Sequence, residues 1–355
     1  MTNSPTPIFD GHNDALLNLY RSDTDDTGTP EYSVFERHDA NHLDLPRARE
    51  GNFAGGFFAA FVSTPDADYE TRETDEGHEI PYADPISHER AKAHTYDMLA
   101  HLYRVEAESE GEFRVVRTPD DLRECFDDDA VAAIAHLEGA EAVAPDLSNL
   151  DFLYAAGVRS IGLVWSRPTE FAHGVPFKYP ATPDIGPGLT DAGRELVRAC
   201  NDRGILVDLA HLNAAGFWDV ADISADPLVV SHTAAHELCP ATRNLTDDQI
   251  DAVADSGGVV GITFAVTSLR EDGRKDTDTS ISTLVDHVEY VADRAGVEHV
   301  ALGSDFDGAT IPDSVGDVTG LPDVVAEIRD RGFDEDEVAK IAHENWVRVV
   351  EETWG

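Results

Sequence analysis

Cationic side chains are scarce in this sequence: its 355 residues carry 26 Lys plus Arg against 70 Asp plus Glu, a formal net charge of -44. The lysines are Lys92, Lys178, Lys275 and Lys340. A surface of that sign repels phosphate backbones and anionic lipid headgroups, so neither nucleic acid nor membrane is an expected partner. It also implies a need for salt, because dense carboxylates oppose compaction until molar salt shortens the screening length to about 3 Å. A halophilic cytoplasm is the expected setting. Cysteine is equally sparse: Cys125, Cys200 and Cys239 form no CxxC pair and no even-numbered framework, so no disulfide scaffold is expected. No apolar run is long enough to span a bilayer, and Met1 to Pro7 contain neither a charged segment leading into an apolar one nor a twin arginine. These absences together predict a soluble, cytoplasmic protein.

The chain does contain a repeated alternation of short β-branched runs with amphipathic segments, the pattern of successive βα units. Strands are expected at Ile8-Asp10, Gly55-Val62, Val131-Leu137, Val158-Val164, Ile205-Leu209, Leu228-Ser231, Val259-Phe264 and Val300-Gly303. Apolar residues at three- and four-residue spacing predict helices over 87–108, 191–203, 246–256, 280–295 and 334–353. Thr190 and Thr246 stand at N-cap positions, and Gly204 and Gly296 at stop positions. Eight strands with intervening helices define an α/β chain, most economically a (β/α)8 TIM-type barrel formed as a single domain over 1–355. The acidic stretches Ser22 to Asp39 and Thr64 to Asp84 read as long surface loops, as does the segment 167–188 after the fourth strand.

Several short strands end on a side chain that binds metal or moves protons. His12 and Asp14 follow Pro7-Ile8-Phe9, Glu138 follows Val131 to Leu137, His211 follows Ile205 to Ala210, His232 follows Pro227 to Ser231, and Asp305 follows Val300 to Ser304. The C-terminal ends of barrel strands are where such folds carry their chemistry. His12 and Asp14 are two residues apart, which in extended backbone aims both at one face. Alone, the pair also reads as a polar strand-to-loop turn. Together with Glu138, His211 and His232 it makes five ligands of three types, enough for two cations sharing one carboxylate. Asp305 suits a proton shuttle between a nucleophilic water and a leaving amine. His136, inside an apolar run, reads as a buried histidine satisfied by a backbone carbonyl, and Asp307 and Gly308 read as turn formers.

The segments Asp10-Gly11-His12-Asn13-Asp14, Leu137-Glu138-Gly139, Gly157-Val158-Arg159, Val207-Asp208-Leu209-Ala210-His211, Ser231-His232, Arg243-Asn244 and Gly303-Ser304-Asp305-Phe306-Asp307-Gly308 resemble, in order and spacing, the signatures of the membrane dipeptidase (renal dipeptidase, peptidase M19) family. The resemblance implies a metal-dependent dipeptidase holding two zinc ions. One would be bound by His12, Asp14 and Glu138 and the other by Glu138, His211 and His232, with a hydroxide between them. It further implies a catalytic proton shuttle at Asp305, an arginine at Arg243 for the C-terminal carboxylate of a dipeptide, and a homodimer. Substrates are expected to include dipeptides with a D-residue. Two positions depart from the pattern: Trp165 stands where the family often has a histidine contacting the substrate carbonyl, and Ala265 where it often has tyrosine. Two alternatives stay open on these residues. One is another metal-dependent amidohydrolase or lactonase on the same barrel, disfavoured because no lysine ends a strand. The other is a catalytically impaired member that binds peptides.

Overall fold

The computed structural model describes residues 5–23, 32–65, 69–75 and 77–355. Eight parallel strands form a nearly closed barrel: β1 (Ile8–Asn13), β2 (Phe53–Phe61), β3 (Val131–Glu138), β4 (Val158–Gly162), β5 (Leu206–Asp208), β6 (Val229–Thr233), β7 (Val259–Ile262) and β8 (Val300–Leu302). Neighbours in the sheet are neighbours in sequence, with helices in the crossovers. All eight expected strands are present, and a short strand Phe113–Val115 adds to the edge of β3. The seam between β8 and β1 is closed just beyond the strands, where Asp305 N donates to His12 O (3.0 Å) and Asp14 N donates to Phe306 O (2.8 Å).

Inside the barrel the side chains lie in layers. At the N-terminal end, Phe9, Phe57, Ile134, Val229, Val259 and Ala301 pack around Trp346, which is fully buried. Trp346 enters from the C-terminal helix Asn345–Trp354 and its indole N–H donates to Leu302 O at 2.9 Å. The segment expected as one helix over 334–353 is in fact interrupted: an α-turn at Glu335–Ala339 passes through a π-helical stretch, Lys340–Glu344, before the final helix. After that wide turn, Asn345 donates to Val297 O and Val300 O, and Trp346 plugs the barrel.

Above this layer lie His136, Asp208 and Ser231, and above them the rim. Phe9 and His12 are three residues apart yet both point inward, which simple strand alternation forbids. The register of β1 against β2 shifts between Asp10 and Asn13, and that irregularity reconciles them.

The outer helices match expectation at His88–Glu108, Asp191–Asn201, Asp247–Asp255 and Ile281–Ala295. Thr190 Oγ1 accepts from Gly193 N at 3.0 Å, and Thr246 forms a capping box with Gln249. The expected loops were only partly loops. Arg72–Glu73, His78–Ile80 and Phe177–Tyr179 form a three-stranded antiparallel sheet, so Lys178 is in a strand, not a loop. Of the two acidic stretches, residues 24–31, 66–68 and 76 lie outside the described residues. No helix among the described residues is long and apolar enough to cross a membrane.

Candidate metal centre

The barrel brings His12, Asp14, Glu138, His211, His232 and Asp305 to its C-terminal rim. Their candidate ligand atoms fall into three groups, each with all atoms within 4.8 Å of one another: His12, Asp14 and Glu138; Glu138, His211 and His232; and His12, His232 and Asp305. One oxygen, Glu138 Oε1, lies 3.8 Å from His12 Nε2, 3.0 Å from His211 Nε2 and 3.7 Å from His232 Nε2. Asp14 Oδ2 is 3.4 Å from His12 Nε2. The first two groups are the two ligand sets expected from the sequence.

The surroundings leave these atoms without other work. His12 is fully buried, and among the described residues neither of its ring nitrogens nor Asp14 Oδ1 has a hydrogen-bond partner. Buried polar atoms without partners are costly, so a group of them converging on one point fits a cation that would satisfy them. Burial opposes a charge on His12, but Glu138, Asp14 and Asp305 overcome it and raise its pKa to about 10. Burial pushes the Glu138 carboxyl well above its usual range. It drives His211 and His232 well below 6.5, helped by nearby Arg243 and His12, so both rings are neutral and able to offer a lone pair. Asp305 is half-buried, and desolvation lifts it to about 7 against the pull of His12. A carboxyl near neutrality can both accept and return a proton.

The backbone is strained at two of these side chains. His211 and Asp305 have φ of 65° and 61°, the left-handed region that non-glycine residues seldom occupy. Hydrogen bonds hold each there: Val175 N donates to His211 O (2.8 Å), and Asp305 N is bound at the seam. Asp307, also left-handed at 67°, shapes the following turn and exchanges hydrogen bonds with His42. Strain of this kind persists where surrounding contacts over-determine it, and it clusters at functional sites.

Among the described residues Arg243 has no ion-pair partner, although an acidic protein offers many. It is partly buried, Nη2 donates to His232 O at 3.2 Å, and burial lowers its pKa to about 10 while Asp305 and Glu138 resist. It remains a cation at neutral pH and faces a cleft lined by Ile80, Phe177, Thr242 and Ser268. Trp165 lies at the rim, its ring 5.8 Å from that of His211 and within 5.0–5.7 Å of Phe61, Tyr69 and Phe177. Ala265 begins the short helix Val266–Leu269 after β7.

His136 is buried as expected but differently satisfied. Its Nδ1 meets Ser160 Oγ at 2.9 Å, a hydroxyl and not a backbone carbonyl, and burial lowers its pKa to about 4. Sequence reasoning also overlooked the groups behind the histidines. Ser166 Oγ lies 2.8 Å from His211 Nδ1, and Ser231 Oγ lies 2.8 Å from His232 Nδ1. Ser231 and Asp208 stood inside the quoted motifs, so their signal was adjacency to a candidate ligand. Arg167, wholly buried against Glu141 (2.6 Å) and stacked near Trp165 (5.4 Å), had no comparable signal.

The profile of the membrane dipeptidase family (peptidase family M19) matches residues 2–354. A metallopeptidase of Rhodobacter sphaeroides, solved with a phosphinate mimic of the dipeptide L-Ala-D-Ala, is 45% identical and superposes with a TM-score of 0.93, over 99% of this chain and 100% of that one. An uncharacterized protein from the pqqA 5' region of Klebsiella pneumoniae is 44% identical over 73% of this chain and 96% of its own length. Dipeptidase tcpJ of Claviceps purpurea is 29% identical over 97% of this chain and 76% of its own length.

Proposed function

The chain belongs to the membrane dipeptidase family (peptidase family M19), and from that premise we propose that it is a dinuclear zinc dipeptidase cleaving the amide bond of dipeptides, including those with a D-residue. The observation that carries this reading is the single oxygen Glu138 Oε1 within 3.0–3.8 Å of three imidazole nitrogens. His12, Asp14 and Glu138 would hold one ion, and Glu138, His211 and His232 the other. Five nitrogen and oxygen donors of this kind suit zinc, and a shared carboxylate suits a pair of ions better than a closed structural site. Two ions so held would supply a Lewis acid for the scissile carbonyl and lower the pKa of a nucleophilic water.

The remaining residues divide the other tasks. The Arg243 guanidinium pairs with the substrate's C-terminal carboxylate, for which its planar fork is suited. Asp305 takes a proton from the attacking water and returns it to the leaving amine. Trp165 forms an aromatic wall beside His211 and contributes one indole N–H donor in place of a titratable ring. The phosphinate dipeptide mimic in the Rhodobacter sphaeroides relative supports the substrate class. The acidic composition supports a cytoplasmic enzyme of a halophile, acting as a single catalytic unit.

Plasma mass spectrometry on protein purified in high salt should find two zinc ions per chain. Chelation should abolish dipeptide hydrolysis, and zinc should restore it. A metal-free preparation with full peptidase activity would overturn the proposal.

A further inference from the structure

Behind His232 lies a buried chain of hydrogen bonds whose direction can be fixed by counting hydrogens. Asp208 is 2% exposed and Ser231 1%. Asp208 Oδ1 accepts from Ala210 N (3.1 Å) and Ser231 N (2.8 Å), while Oδ2 lies 2.6 Å from Ser231 Oγ. A carboxylate has only acceptors to offer, so the hydrogen in that short contact belongs to Ser231. Its one hydrogen thus spent, Ser231 Oγ can only accept from His232 Nδ1 at 2.8 Å.

We infer that Asp208 and Ser231 are positioning residues that lock His232 as the Nδ1–H tautomer, so that Nε2 presents its lone pair toward Glu138 and the metal centre. The inference rests on the metal-site reading only for its purpose; the tautomer follows from the hydrogen bonds themselves. A partner behind a ligating histidine fixes both ring orientation and basicity. The other groups facing Asp208 do not disturb the count. His136 Nε2 is 3.6 Å from Oδ2, too far to donate well, and its pKa near 4 keeps that ring neutral. The contrast with His211 is informative. Ser166, its neighbour at 2.8 Å, has no second hydrogen-bond partner among the described residues, so the same count leaves both His211 tautomers open.

Asp208→Asn makes the idea testable, because it reverses one hydrogen bond without changing shape. The two backbone N–H groups hold the amide oxygen at Oδ1, so the amide N–H2 must point at Ser231 Oγ and donate to it. Ser231 then turns its hydrogen toward His232 Nδ1, since otherwise a buried hydroxyl hydrogen is left unpaired. The proton on His232 moves to Nε2, where a cation should bind. The same isosteric exchange in the Ser-His-Asp triad produces the wrong tautomer.

Long-range proton–nitrogen correlation on metal-free protein labelled with 15N-histidine should show His232 as Nδ1–H in the wild type, identified by loss of its signals in His232→Gln. It should appear as Nε2–H in Asp208→Asn. Zinc competition against a chelator should show affinity reduced about 10–100-fold in Asp208→Asn, with thermal melting of the metal-free protein little changed. An unaltered His232 pattern in Asp208→Asn, or an Nε2–H wild type, would overturn the inference. Failure of the wild type to bind zinc, with the tautomer switch intact, would instead overturn the dipeptidase reading and leave this one standing.

Discussion

Gly308 has no side chain with which to ligate a cation or move a proton, yet its replacement by alanine should disable the enzyme. A Cβ built on this residue would stand 2.1 Å from Asp14 Oδ2 and 2.4 Å from Asp305 Oδ1, where ordinary contact begins at 3.4 Å. Its φ lies outside the left-handed region, so alanine adds a steric conflict and no backbone strain. The backbones behind both carboxylates are fixed, so room can be made only by turning the side chains away from the positions they hold. Asp14 follows the bulged end of β1 and is pinned by its N–H to Phe306 O, and Asp305 is held by its N–H to His12 O. Relieving the overlap therefore displaces at least one of them by about 1 Å, enough in a preorganised site to cost roughly 10²-fold in rate. That is about 2.7 kcal/mol of transition-state stabilisation. The assay is kcat/KM on a dipeptide at high salt for Gly308→Ala, with zinc content by mass spectrometry and circular dichroism to confirm the fold. Wild-type kcat/KM with two zinc ions bound would refute the reasoning, since it would mean that the positions of Asp14 and Asp305 do not matter.

Asp305→Asn should keep both ions but lose about 10²–10⁴-fold in kcat, the usual worth of a general acid–base, as measured by steady-state kinetics beside metal analysis. Asp307 has its pKa raised to about 7 by burial, with one carboxylate oxygen unpartnered. Between pH 4 and 7 the folded chain keeps a proton there that the unfolded chain has lost, so stability falls with rising pH and levels off above 7. Asp307→Asn should remove that penalty, raising stability of the metal-free protein by up to about 4 kcal/mol at pH 8 and little at pH 4 in denaturant melts; an equal gain at both would exclude the cause. Dialysis into low-salt buffer should unfold or inactivate the enzyme, given its net charge of -44, and retention of full activity after dialysis would remove the halophilic reading.

The barrel was legible because each strand is a short buried run with a strong local signal, and eight of them leave few alternatives. The convergence of the candidate metal ligands was legible for a related reason: a charged or imidazole side chain at the end of an apolar strand is expensive unless it has a partner. Elements whose cause is tertiary were not legible. The two- and three-residue strands at 72–73, 78–80 and 177–179 have no room for alternation, and the sheet is completed only because 78–80 pairs with 177–179, a segment distant in sequence. The π-helical stretch at Lys340–Glu344 is likewise invisible to periodicity, since what selects it is the barrel's lower opening, which Trp346 fills. His136 was placed correctly in the core, but its partner is a serine on the next strand, and no local pattern names a neighbour across a sheet.

The position of the site in the barrel has a consequence for stability. His12, Asp14 and Asp305 lie at the seam where the last strand meets the first, and the hydrogen bonds that close the barrel there are made by the backbones of these same residues. Closing the barrel and assembling half of the candidate metal centre are therefore one event, which joins residues nearly the whole chain apart. Until the seam forms, no cation can find His12, Asp14 and Asp305 together. Once it has formed, a bound cation opposes its opening by RT ln(1 + [L]/Kd), about 4.1 kcal/mol when free metal exceeds Kd a thousandfold. The stabilisation matters most at this point, because metal-free closure brings Asp10, Asp14, Asp305 and Asp307 into mutual proximity, with burial raising the pKa of Asp10 to about 6 and of Asp305 and Asp307 to about 7. The candidate site residues thus form a joint that crowds buried carboxyl groups together, and a cation bound there would strengthen the fold at that joint.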